Sequence, residues 1–361
     1  MSERRFVDWG LAQRIAVGLA GEGAPAGPFR QEAVDDACAE AVTLVLEYTR
    51  LSLAQPVPSP ELVDRAEWAR LGLRTLRELS EDLERRIAEG ISLPGPLGSA
   101  ARSLAGASAG AEAGIAVGYG ARKVLGQYDL ALAGADREPR LLFIGPNLAS
   151  AHADLGEDPA LFLRWIAIHE TTHALQFSSV PWLRSHIAGL LDRLIKGASA
   201  RLDQSSLREL GRRVFRTDPR SIIRTVLRGD LPRLLSGPRQ RELLDQIQVV
   251  MSVIEGHAEH VMDAAGGSVD PGYGRLREHL EARRANRGGL GEVVARILGM
   301  DLKLRQYRVG KAFCDEIVAD AGVGGLNEVW SGPEALPTLA ELEQPLDWLR
   351  RTRATAEATA G

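Results

Sequence analysis

Apolar residues recur three and four positions apart along most of the chain, the period of helices rather than strands. In residues 27–51 one stripe runs through Val34, Ala37, Cys38, Ala41, Val45 and Tyr48, and in 62–89 another runs through Leu71, Leu73, Leu76, Leu79, Leu83 and Ile87. These segments are expected to pair as an antiparallel helical hairpin across the Pro-rich turn QPVPSP. Residues 94–120, rich in Gly, Ala and Ser with Leu104 and Ile115 interspersed, read as a helix of small residues. Strand character is confined to 127–132 (QYDLAL) and 140–145 (RLLFIG), separated by the turn-like GADREP, which predicts a small antiparallel sheet. The fold class expected is therefore mainly α (α+β).

Two of the helical patterns carry chemistry as well as core. Asp158 offers an N-cap and Pro159 a first helical position, and the run LFLRWIAIHETTHALQF continues until Ser178 and Pro181 end it. A second apolar helix, about 239–264, has the core stripe Leu243, Leu244, Ile247, Val250, Met251, Ile254, Ala258, Val261 and Met262. Four of the chain's seven histidines fall in these two helices, His169 and His173 in the first, His257 and His260 in the second.

Composition narrows the class without choosing a function. The 361 residues allow about two domains, at roughly 150 residues each, or one large one. We read one unit over 1–350: an N-terminal helical layer (1–125), a core (126–320) and a C-terminal segment (321–350), with 351–361 as a frayed tail. Hydrophobic residues at 45% and charged residues at 25% are those of a globular protein, not a disordered one. A net charge of −4 supplies no global positive field, so no nucleic-acid role is expected. Cys38 and Cys314 are too few and too far apart for a thiolate metal site or a disulfide framework, and no apolar run is long enough to span a bilayer. A cytoplasmic protein without membrane association is expected. Of the basic residues only Lys123, Lys196, Lys303 and Lys311 are lysine, which reads as the coding bias of a GC-rich bacterium. Residues 201–241 carry eleven Arg against four acidic residues, a solvated or partner-facing helix.

His169-Glu170-Thr171-Thr172-His173 is an H-E-x-x-H motif. On a helix the two histidines leave the same face one turn apart and can share one metal ion, with Glu170 beside them. A buried helix has no cheap reason to carry these groups, since each unpaired polar group costs a few kcal/mol (~2–7) when buried. A catalytic zinc takes a third protein ligand and keeps a position for water. The cluster Glu255-Gly256-His257-Ala258-Glu259-His260 offers candidates, with Glu255 and Glu259 four apart, so that one carboxylate could bind and the other orient a ligand histidine. His152, His186 and His279 read as solvated or capping residues. Only one E-x-x-H unit is present, too few for a ferritin-like di-metal site. No G-x-S-x-G elbow and no phosphate-binding loop occurs.

HETTHALQF together with EGHAEHVMD resembles the zincin-type metallopeptidases, and within them a bacterial family of zincin-like hydrolases associated in part with deazaflavin-cofactor biosynthesis. Further blocks of the resemblance are VDW near the N-terminus, VDRAEW (63–68), LGQYDLAL (125–132), FIGPN (143–147), VPWLR (180–184) and DLKLRQYRVGKAF (301–313), so that it covers most of the chain. It implies a zinc ion (Zn2+) held by His169, His173 and Glu255, because gluzincins take their third ligand from a downstream Glu often followed by Gly, as Glu255 is here. The spacing departs from that pattern, with 81 residues between His173 and Glu255, and leaves Glu259 and His260 as alternative ligands. The resemblance implies hydrolysis of a peptide or small amide substrate, with Glu170 as general base. Tyr307, His260 or Arg308 would stabilise the oxyanion. The competing expectation is a non-catalytic zincin scaffold that keeps a structural metal and binds a protein partner through 201–241.

Overall fold

Helix α6 (Pro159–Ser179) begins where the sequence says it should: the Asp158 carboxylate accepts from the Ala160 and Leu161 N–H groups, and Pro159 occupies the first turn. Fifteen of its side chains are buried on all sides of the helix, which marks it as a central element rather than a surface one. The computed structural model describes residues 6–23, 25–90, 96–131, 137–201, 238–267, 272–285 and 300–360. Before α6 come α1 (Trp9–Ala20), α2 (Gln31–Thr49), β1 (Pro60–Val63), α3 (Arg65–Gly90), α4 (Pro96–Gly120), β2 (Gly126–Asp129), β3 (Arg140–Ile144) and α5 (Gly145–Leu155). After it come α7 (Pro181–Arg201), α8 (Pro238–Gly267), α9 (Tyr273–Ala285), α10 (Met300–Asn327), two short 3-10 turns, α11 (Leu339–Glu343) and α12 (Pro345–Ala360). The Arg-rich segment 201–241 lies, but for its first residue and its last four, outside the described residues.

The architecture is mainly α with one small sheet. β2 and β3 pair antiparallel as expected, with Tyr128 opposite Leu141. The sheet is nevertheless mixed, because β1 adds to the other side of β3 in parallel, Leu62 opposite Phe143. β1 comes from the Pro-rich connection that reads as a turn in sequence. Its insertion separates α2 from α3, so the expected hairpin does not form: α2 packs on α6 and α8, while α3 packs on α1 and α4. The small-residue segment is helical, as expected, and its glycines explain the composition. A Cβ at Gly110 would lie 2.3 Å from the Asp8 carbonyl oxygen, so only glycine lets α1 approach this closely. The expected tail instead continues α12 to Ala360, where Arg351 pairs with Glu341 and Arg353 with Asp320.

Two apolar cores meet at α6 and α8. One gathers Val34, Val45, Phe143, Phe162, Ile168, Leu175 and Val261. The other gathers Leu183, Leu190, Val250, Val253, Phe313 and Trp348. Each fully buried large side chain contributes about 1.5–3 kcal/mol, so the α6–α8 crossing is anchored from both ends. Of the stripe expected on α8, Val250, Ile254, Ala258, Val261 and Met262 are buried and Met251 is partly buried, whereas Leu244 is exposed, because the first turns of α8 run ahead of this packing. Both cysteines are free and buried. Among the described residues no helix is long and apolar enough to cross a membrane.

Candidate metal centre

His169 and His173 project from one face of α6, as their spacing requires, with rings edge to face and centroids 4.8 Å apart. Glu255 reaches them from α8. Its Oε2 lies 3.3 Å from His173 Nε2 and 3.8 Å from His169 Nε2, and the two Nε2 atoms are 3.3 Å apart. A tetrahedral ion with bonds of about 2.0–2.1 Å separates its ligand atoms by roughly 3.3 Å, so the spacing of these donors fits zinc, as does their chemistry of two imidazoles and a carboxylate. Among the described residues this is the one cluster of three or more such side chains drawn together closely enough to hold a metal ion.

Helix crossing sets the reach of Glu255. Its neighbour Gly256 faces Gly310 of α10, and a Cβ on Gly256 would fall 2.1 Å from the Gly310 carbonyl carbon. The two glycines let α8 and α10 touch backbone to backbone, which fixes the rotation of α8 and turns Glu255 toward α6.

Glu170 is buried beside the imidazoles and abuts β2. The Tyr128 backbone N–H donates to its carboxylate. Burial carries the Glu170 pKa up to about 7; nearby Glu255 adds to the rise, and His173 and the Tyr128 N–H oppose it. That is where a general base for neutral pH should sit. For His173, burial alone acts downward, but the charge and hydrogen bond of Glu255, with Glu170 and Gln176 adding, raise the pKa to about 9. His257, buried and near His260 and His173, falls to about 3 and stays neutral.

The other candidates are placed elsewhere. His260 has both ring nitrogens engaged, Nδ1 2.7 Å from the Asp315 carboxylate and Nε2 2.7 Å from the Tyr48 hydroxyl, which leaves no lone pair for a metal. Glu259 is buried one turn past Glu255 but faces Arg277 of α9, 3.9 Å away, rather than a ligand histidine. Tyr307 falls on α10, and its side chain lies outside the described residues; Arg308, next to it, is exposed. His152 closes the end of α5 through Nε2 on the Glu157 carbonyl, and His279, exposed on α9, pairs with the Glu157 carboxylate, so neither approaches the imidazole pair.

Two residues at the site escape the sequence reading. Gln176 accepts from His173 Nδ1 at 2.9 Å; its position three residues after His173, on the same helix face, is the signal that could have found it. Gly126 lies against Glu170, where a Cβ would meet Glu170 Cγ at 2.6 Å, and nothing in the local sequence announces that contact.

The profile of a family described as zincin-like metallopeptidase matches residues 7–349. A protein from Chloroflexus aurantiacus, whose crystal structure is described as that of a "putative hydrolase with a novel fold", is similar at 29% identity over 96% of this chain and 99% of its own, with a TM-score of 0.69. No curated protein sequence matches significantly. With a family match running from the N-terminal layer into α12 and an H-E-x-x-H helix facing a glutamate, the chain belongs to the zincin-like metallopeptidase family.

Proposed function

We propose that the protein is a zinc-dependent hydrolase that cleaves a peptide or small amide bond. The observation that carries this is the joint placement of His169, His173 and Glu255 at tetrahedral ligand spacing with Glu170 buried alongside. A zinc ion held by these three residues would supply an acidified water and polarise the substrate carbonyl. Glu170 takes the proton of the attacking water and delivers it to the leaving amine, so that the C–N bond breaks and the products are a carboxylate and an amine. The Tyr128 N–H and the close wall at Gly126 hold the carboxylate for that transfer. Tyr307 is our assignment for the group that stabilises the developing oxyanion. In support, it lies three residues before Gly310, where α10 meets the neighbour of Glu255. A structural metal site has no use for a carboxylate in the position of Glu170, which favours an enzyme over a scaffold.

The test is metal analysis of the purified protein, followed by product analysis by mass spectrometry on a peptide library with wild type and Glu170→Gln. We expect stoichiometric zinc in both and a loss of roughly 10²–10⁴-fold in turnover for the variant. Equal turnover by the two proteins, or zinc content unchanged by His169→Ala, would overturn the assignment.

A further inference from the structure

Gln176 is fully buried, and its carboxamide has three partners. Oε1 lies 2.9 Å from His173 Nδ1, and Nε2 lies 2.9 Å from both the Ile254 carbonyl oxygen and His257 Nδ1. Hydrogen-bond chemistry allows one orientation of this amide. The Ile254 carbonyl can only accept, so the end that meets it is the NH2 group. The second N–H of that group points at His257 Nδ1, which must offer a lone pair, leaving the His257 proton on Nε2. The amide oxygen then faces His173 and can only accept, so His173 Nδ1 carries a hydrogen. A neutral imidazole has one donor and one acceptor nitrogen, so His173 must present its lone pair at Nε2. That atom is the one 3.3 Å from both His169 Nε2 and the Glu255 carboxylate.

The same amide grips α8 at Ile254, the residue directly before Glu255. His257 is itself fixed, fully buried with its ring edge to face on Trp330 at 5.3 Å between centroids. We propose that Gln176 is the positioning residue that assembles the metal site, selecting the metal-binding tautomer of His173 and holding the helix that delivers Glu255 at the correct distance. His257 acts through Gln176, locking the amide against rotation. Partners of this kind behind a ligand histidine are worth about 10–100-fold in metal affinity. The inference rests on the reading of His169, His173 and Glu255 as zinc ligands.

The experiment uses the full chain, stripped of metal and titrated with zinc against a chromophoric chelator, for wild type, Gln176→Leu and Gln176→Glu. Imidazole 15N–1H correlation spectra of the zinc-loaded proteins give a second readout. We expect Gln176→Leu to weaken zinc by about 10–100-fold. Gln176→Glu keeps an acceptor for His173 Nδ1–H but sets a carboxylate oxygen against the Ile254 carbonyl, so it should recover part of that loss and not all of it, which a merely structural role would not predict. In wild type the His173 Nδ1–H should appear as a slowly exchanging proton with zinc on Nε2. That spectrum decides the matter even if the leucine variant fails to fold. Zinc on His173 Nδ1, or wild-type affinity in Gln176→Leu, overturns the inference alone, whereas failure of wild type to bind zinc overturns the reading of the site beneath it.

Discussion

Gly126→Ala separates the geometry of the general base from the stability of the fold. Gly126 is in β2 at a backbone conformation that any residue adopts, so alanine meets no conformational penalty there. Its Cβ, however, would stand 2.6 Å from Glu170 Cγ and 2.9 Å from both Cδ and Oε1, where ordinary contact begins at 3.4 Å. Glu170 must therefore retreat by roughly 0.8 Å or turn away. A displacement of about 1 Å costs on the order of 10²-fold in rate, or about 2.7 kcal/mol of transition-state stabilisation. The zinc ligands are not the atoms met by the new methyl group, so metal content should be unchanged. Glycine to alanine in a compatible strand position favours folding by about 0.4–1 kcal/mol through the unfolded chain, which offsets part of the cost of moving the side chain. The expected result is a roughly 100-fold lower kcat with stoichiometric zinc and a Tm within a few degrees of wild type. In the background of Glu170→Gln the substitution should have almost no further effect, because both act on one group. Full kcat in Gly126→Ala, with zinc bound, would refute the claim that the wall at β2 positions the base.

Zinc affinity should depend on pH, because His173, raised to about 9 by Glu255, holds a proton that the metal must displace. Binding is expected to strengthen about tenfold per pH unit between about 7 and 9, and a flat titration across that range would contradict the pairing. In the metal-free protein the same shift stabilises the fold: the contribution is fully present below about 6.5, the unfolded value, and disappears as pH rises through about 9. A chemical denaturation series on His173→Gln metal-free protein should lack this dependence. Gly310→Ala should destabilise by about 1–3 kcal/mol or more, because its Cβ would lie 1.9 Å from the Ser252 carbonyl oxygen in the α8–α10 crossing, and zinc affinity should fall with it as Glu255 is displaced. Trp348→Ala, which empties a fully buried site and strands the Ala335 carbonyl that its indole N–H satisfies, should cost about 3–5 kcal/mol in urea denaturation while leaving zinc affinity unchanged.

Local chemistry made the centre of this protein legible from its residues alone. Asp158 and Pro159 start α6, and the three-to-four spacing of its apolar side chains sustains it. The helical period then places His169, His173 and Glu170 together without reference to any other element. Helical character elsewhere and the β2–β3 pair were readable for the same reason, since periodicity is a local property. β1 was not, because four residues after a proline-rich stretch become a strand only through pairing with β3. With β1 in place, α2 and α3 could no longer form the hairpin that their matching stripes suggest.

The third ligand belongs to the same class of question. Glu255, Glu259 and His260 stand within six positions of one helix, and sequence determined that one of them could face α6 but not which. That choice is made by the rotation of α8, set where Gly256 meets Gly310, and by partners far away in the chain that occupy the alternatives: Tyr48 and Asp315 for His260, Arg277 for Glu259. The residues alone determined a pair of imidazoles and a base on one helix, because a helix's own geometry suffices for that. Only the tertiary structure decided which carboxylate stands against the two imidazoles and which amide joins α6 to α8 beside it, because those contacts depend on how two helices cross.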